Sequence, residues 1–367
     1  MILIPLITYG QTWVTGSSGN RTLINTKFRV GNGTSELSID NKGNLLGPFY
    51  YNGDFISVSD RWRNLTYNNI ALNSRVGIGV TISGDDGPIY NKSGSRVVDP
   101  IMSGQQFETS GFIATSGNKG YGTITVSGTI TVGGALLELN NTYTLGQNDS
   151  FLKITTTLKN ISSSTVSNVR FWVGTRDDNI GGEDDPTKTR GNLVGGAFQA
   201  ITAKVSPSTA IKITSGTEGV LFFTNNIRGK TAIARYDGSG TSFIKTTDQD
   251  PATAPITKSY DGSYSIYVRM NDLTVGASDS FTWYYAAAKT SELGAVIAEV
   301  ANASINIDNI TKTFGDNAFT ISATSSSTGA LTYSAVNSGV ATITSNTVTI
   351  TGAGTTSVTV SQAADSN

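Results

Sequence analysis

From residue 12 to about residue 285, apolar side chains recur at every second position in short runs. Each run ends in Gly, Asn, Asp or Ser. Residues 75–83 read RVGIGVTIS, with Val76, Ile78, Val80 and Ile82 falling on one face. Successive side chains of a strand point to opposite faces, so this spacing builds strands with one buried face. The 22–30 run alternates in the same way through Leu23, Phe28 and Val30. Residues 122–132 read GTITVSGTITV, two near-identical pentads around Ser127-Gly128, which predicts a hairpin there because Gly tolerates positive φ. Residues 151–158 and 166–173 read as a further strand pair around 160–165. Later strands are expected at 210–213, 219–223, 231–236, 263–270 and 280–287. A chain patterned like this folds as all-β. The expected fold class is a large antiparallel β-sandwich, followed by a small immunoglobulin-like sandwich, with one short connecting helix.

That helix is expected at 290–303 (TSELGAVIAEVANA). Leu293, Val296, Ile297 and Val300 follow the i, i+3, i+4, i+7 spacing, and Ser291 is placed to cap it. The 367 residues then divide into 1–11, 12–288 (the large sandwich), 289–304 (helix and linker) and 305–367 (a small repeat). Residues 1–11 (MILIPLITYGQ) read either as a first strand or as the end of a secretory signal peptide that lacks its basic start. No apolar run is long enough to span a membrane as a helix.

Composition removes whole classes of function. The 26 basic and 27 acidic residues give a net charge of −1, so no basic excess exists for binding nucleic acid through its phosphates. There is no Cys, hence no disulfide, zinc–thiolate site or thiol nucleophile. There is no His, which removes the Ser-His-Asp triad and imidazole ligation. Catalysis would fall to carboxylates, Tyr, Lys or Arg. A metal would be a hard cation held by oxygen, and calcium is the expected one.

Two segments carry candidate chemistry. Residues 176–192 read RDDNIGGEDDPTKTRGN and directly follow an apolar strand. In one reading Asp177, Asp178, Asn179, Glu183, Asp184 and Asp185 wrap a calcium ion, and Gly181-Gly182 lets the loop fold back. In the other, Arg176, Lys188 and Arg190 neutralise a solvated acidic loop. The second segment is Phe49-Tyr50-Tyr51 with Trp62 and Tyr67, beside Asp54, Asp60, Arg61, Arg63 and Asn64. Sugar rings stack on flat aromatic faces with polar neighbours, so Tyr50, Tyr51, Trp62, Arg61 and Arg63 form a candidate ligand-binding set. The other reading puts these rings in the core, where Trp172 and Trp283 are expected too. Glycosidase chemistry requires two facing carboxylates. Asp60, Glu138 and Asp177 are available, but their pairing is not written in the sequence.

Residues 152–175 (LKITTTLKNISSSTVSNVRFWVGT) resemble the paired strands of large bacterial sandwiches related to the galactose mutarotase type. From Ile305 onward the chain resembles bacterial immunoglobulin-like repeats of the MBG and group 2 type. The matching residues are Phe314-Gly315-Asp316, Phe319, Ile321, Tyr333-Ser334, Val340-Ala341-Thr342-Ile343 and 352–360. Such repeats occur in giant surface proteins of gliding, Bacteroidetes-like bacteria that use the type 9 secretion system. The resemblance implies an extracellular, non-catalytic adhesin tip that binds surfaces or glycans, with further repeats downstream as a stalk. Two alternatives stand beside it. One is a secreted polysaccharide-active enzyme with a mutarotase-like sandwich, and the other is a structural subunit of an extracellular filament.

Overall fold

The computed structural model describes residues 12–15, 21–30, 43–69, 71–78, 97–98, 100–175, 177–235, 254–302, 305–307, 312–325, 331–335, 337–354, 356 and 358–362. The expectations placed on 1–11, Val80, Ile82 and Arg176 lie outside these residues. The chain divides into two compact units, Met1–Val296 and Ile297–Asn367.

In the first unit one large sheet runs, from strand to neighbouring strand, through Ser103–Ser116, Lys119–Val132, Ala135–Leu145, Phe151–Asn160, Ser278–Lys289, Glu218–Thr224, Ala210–Ser215 and Thr187–Val194. A second sheet has the order Gly229–Arg235, Gly262–Arg269, Arg170–Gly174, Asn73–Gly77, Val97–Val98. A third, three-stranded sheet holds Phe28–Val30, Pro48–Tyr51 and Trp62–Asn64. The alternating positions decide what is buried. Val126, Ile130 and Val132 are enclosed, whereas Thr125, Ser127 and Thr129 stand on the other face. Inward residues of the sheets, among them Leu139, Ile154, Phe171, Val173, Ile266 and Trp283, belong to one continuous core. Fully burying an aliphatic or aromatic side chain contributes about 1.5–3 kcal/mol, so this core dominates the stability. Its buried polar groups are paired. Thr156 Oγ1 donates to Asn141 Oδ1 at 2.8 Å, and Trp283 Nε1 donates to Thr156 Oγ1 at 3.2 Å.

The all-β architecture with one helix is as expected. Three local expectations are corrected. Ser127-Gly128 does not turn, because Lys119–Val132 is one uninterrupted strand. Gly128 faces Leu139 across the ladder, and a Cβ built on it would stand 2.6 Å from Met102 Cβ. The glycine is therefore required by close packing. The turn falls at Gly133-Gly134, both with positive φ (53° and 83°). Residues 151–158 and 166–173 are not paired with each other either. Phe151–Asn160 lies in the large sheet and Arg170–Gly174 in the five-stranded sheet. The intervening segment crosses between layers, and Val166 bridges to Leu273 on the way. The helix is Leu293–Asn302, shorter than expected. Residue 290 still belongs to a turn that donates its amide to Thr217 O.

The second unit pairs Phe319–Thr320, Thr347–Ile350 and Ala341–Thr344 in one small sheet and Leu331–Ala335 with Val358–Gln362 in another. Its core is small: Ile321, Ala341 and Val348, flanked by Phe319, Tyr333 and Ile343.

Candidate functional site

The strand Arg170–Gly174 delivers the chain into the acidic loop. Thr175 fixes the entry: its Oγ1 donates to Asp177 O at 2.5 Å and accepts from Asp177 N at 3.1 Å. The Asp178 amide then donates to Gly262 O at 3.1 Å. These bonds set Asp177 and Asp178 beside Asp261, which precedes the strand Gly262–Arg269. Carboxylate oxygens of Asp177, Asp178 and Asp261 lie within 4.8 Å of one another.

A cation is built in. Lys188 reaches inward from the large sheet, and its Nζ lies 2.6 Å from Asp178 Oδ2, with both side chains fully buried. The ammonium also donates to Tyr260 O at 2.7 Å and Pro186 O at 3.1 Å. The close approach to Asp178 is an ion pair off the ideal hydrogen-bond direction, and Asp178 Oδ1 has no hydrogen-bond partner. Burial pushes the Asp178 carboxyl well above the usual range, against the lowering effect of Lys188. Burial likewise raises Asp261, while its hydrogen bond with Asp177 pulls the other way and the charge of Asp184 adds to the rise. Two carboxyls in hydrogen-bond contact titrate as a pair that retains one proton. Behind them Tyr264 and Tyr285 join hydroxyls at 2.5 Å, and burial raises both phenols. Tyr260 is pushed up to about 12 by burial and by Asp178.

The expected ring of six ligands does not form. Glu183, Asp184 and Asp185 are exposed, and Asn179 is half-buried. Only Asp177 and Asp178 converge, and the third carboxyl comes from Asp261. Calcium requires six to eight oxygens at 2.3–2.6 Å. A divalent ion here would use Asp177, Asp178 and Asp261 and compete with the Lys188 ammonium for Asp178. Of the expected neutralising residues, Lys188 pairs with Asp178. Arg190 turns elsewhere, donating to Thr231 Oγ1 at 3.1 Å and Ala254 O at 3.1 Å.

The second candidate set divides. Tyr50 is buried in the core and is no stacking platform. Its hydroxyl donates to Glu218 Oε1 at 2.7 Å, and burial, followed by this bond, raises the phenol. Arg63 grips the same carboxylate, Nε to Oε1 at 2.8 Å and Nη2 to Oε2 at 3.4 Å. Tyr51 and Trp62 form an edge-to-face pair at 5.4 Å, and Tyr51 is 39% exposed. Arg61 donates to Tyr51 Oη at 3.3 Å and to Phe55 O at 2.9 Å. Trp62 is braced by Arg29, whose guanidinium lies 4.6 Å from its ring centre.

The two segments meet at Glu218. A Cβ built on Gly181 would stand 2.9 Å from Glu218 Oε2, and one on Gly182 would stand 3.8 Å from Arg63 Nη2. The positive φ of both glycines, 72° and 81°, lets the loop turn there. Glu218 and Asp261 were missed in the sequence. Their signals were faint: one acid opening the apolar strand EGVLFFT, and one acid in a Tyr-Asp-Gly turn. Lys188 and Arg190 carried a clearer one, two cations at the same parity of a strand and so on the same side.

No family model matches the chain, and no curated protein is similar to it in sequence. Solved structures share its fold at low identity. One is titled a putative aldose 1-epimerase from Escherichia coli K12 (TM-score 0.40, 9% identity, covering 76% of this chain and 100% of that one). Another is a bacterial glucoamylase complexed with acarbose (TM-score 0.43, 9% identity, 79% of this chain and 38% of that one). A third is a polysaccharide lyase (TM-score 0.37, 11% identity, 92% and 42%). The chain spans less than half the length of the last two. These titles name sugar-processing enzymes, and they correct the expectation of a non-catalytic adhesin tip in favour of its polysaccharide-active alternative. The likeness concerns the fold alone.

Proposed function

We propose that this chain acts on saccharides by carboxyl acid–base chemistry at the end of its sandwich. The observation that carries the reading is the convergence on Glu218 of two segments far apart in sequence. One brings the Asp177–Asp261 carboxyl pair, and the other brings an arginine and an aromatic rim. The roles follow from the environments. The Asp177–Asp261 pair retains a proton above the ordinary carboxyl range and supplies it to an oxygen of the sugar. Glu218, oriented by Arg63 and Tyr50, is the opposing carboxylate, and Gly181 leaves its Oε2 approachable. The Asp178–Lys188 ion pair holds the acidic loop in place and positions Asp177. Tyr51 and Trp62 offer ring surface at the rim. A chain without Cys or His suits this chemistry, which uses neither, and we place the protein outside the cell with a glycan as its ligand.

The test is turnover of a panel of oligo- and polysaccharides, followed by reducing-end release and by the anomeric proton signals. Wild type is expected to process at least one member. Asp261→Asn and Glu218→Gln should each lower the rate about 100-fold or more while remaining folded. Binding and turnover of no saccharide, or full activity in both variants, would overturn the reading.

A further inference from the structure

The five-stranded sheet has a marked charge asymmetry. Its described strands carry Arg75, Arg170, Lys230, Arg235 and Arg269 and no acidic residue at all. Across the whole sequence the two signs balance, 26 against 27. At the end of this sheet remote from Asp261, an open cleft of about 530 Å³ is lined by Ile227, Arg228, Lys230, Arg269, Asn271 and Asp272, with Met270 at its floor. Its cations are held in position. Arg228 makes two bonds to Asp279, at 2.5 and 3.1 Å, and Asp279 also accepts from the Asn271 amide at 2.7 Å. Arg269 Nη2 donates to the neutral Asn168 Oδ1 at 2.8 Å, which orients the guanidinium without cancelling its charge. Asp272 accepts from the Asn168 amide at 2.8 Å, so the same loop ties both ends of the arrangement. Three cations face Asp272 and the Arg228-bound Asp279, leaving the cleft positive.

We propose that this cleft binds a carboxylate-bearing stretch of a polysaccharide, that is, a uronate-containing chain. The inference rests on the saccharide reading above. Arg presents paired N–H donors that match a planar carboxylate, and Lys230 adds a point charge beside it. The Asn271 amide and Ile227, which is 91% exposed, offer polar and apolar contacts to a sugar ring. Position adds size to the assignment. Asp261 and Arg269 are eight strand residues apart, about 26 Å at a rise of ~3.3 Å per residue. A ligand that engages both ends of the sheet is therefore a polymer rather than a mono- or disaccharide.

Calorimetric titration of the full chain with a galacturonic acid oligosaccharide tests this, with its fully methyl-esterified counterpart and inorganic sulfate as controls. The acid form is expected to bind, more weakly as salt rises, and the neutral ester to bind at least about ten-fold more weakly. Lys230→Gln and Arg269→Gln should each weaken binding about ten-fold without lowering the melting temperature appreciably. Equal binding of acid and ester, unchanged binding in both variants, or absence of binding by wild type overturns the proposal. Sulfate displacing the oligosaccharide at equal concentration reduces the cleft to a simple anion site and overturns it too. Asp261→Asn should bind the oligosaccharide as wild type does, which separates the two readings. Binding without any turnover would sink the acid–base reading and leave this one standing. Turnover that is indifferent to the cleft variants would do the reverse.

Discussion

The two ends of one pair of strands, Gly229–Arg235 and Gly262–Arg269, handle charge in opposite ways. At the end marked by Asp261, charge is withdrawn from water: Asp178 and Lys188 are fully buried, and the carboxyls beside them are raised by desolvation. At the end marked by Arg269, charge stays in the open. Arg228 keeps 31% of its side chain accessible, and its partner Asp279 is lowered. Burial raises Asp279 as well, but the hydrogen bond from Arg228, the amides of Asn271 and Ser280 and the charge of Arg228 outweigh it. The lesson is that an ion pair takes its character from its access to solvent. A buried pair tunes protons and organises a loop. An exposed pair orients a cation for a ligand.

The largest effect expected is at the buried end. Lys188→Met leaves Asp178 inside the protein without its cation and should cost about 3–5 kcal/mol in urea unfolding. Adding Asp178→Leu should recover a large part of that loss, since an apolar pair carries no desolvation penalty. A loss below about 1 kcal/mol for the single variant would mean that the pair does not organise the loop. At the open end, Arg228→Gln removes a partly exposed ion pair and should cost only about 0.5–1 kcal/mol. A loss as large as that of Lys188→Met would erase the contrast between the ends.

The smallest effect is one of sign. Asp261 has a raised folded value, so its contribution to stability is complete below the ordinary value near ~3.9 and is lost as pH rises through the folded value. Asp279 has a lowered folded value, so its contribution is complete above that ordinary value and is lost as pH falls through the folded one. Unfolding measured from about pH 3 to pH 7 should therefore show Asp261→Asn gaining on wild type as pH rises and Asp279→Asn falling behind it. Slopes of the same sign for both variants would contradict the assignment of the two environments.

Much of the fold was legible, because period-2 alternation is a local property. Val76, Ile154, Ile266 and Trp283 all occupy the core that their parity assigns them. What misled was glycine. Gly128 looks like a turn residue, yet it is a packing residue beneath Met102, and no local pattern separates the two roles. The acidic loop was legible as a concentration of charge. Its membership was not, since Glu183, Asp184 and Asp185 are exposed and their place is taken by Asp261, more than seventy residues downstream.

By itself the sequence determined the strand-based architecture, the single helix and the restriction to oxygen and nitrogen chemistry without Cys or His. These follow from composition and from side-chain periodicity, which act within a few residues. Tertiary structure alone decided which carboxyl meets which cation. Asp178 finds Lys188 across two sheets, Glu218 finds Arg63 and Tyr50 in a third, and Arg228 finds Asp279 from a neighbouring loop. Each partner is chosen by strand order and register, which bring together residues that no spacing rule connects. The surrounding burial then sets whether each pair holds a proton or stays charged.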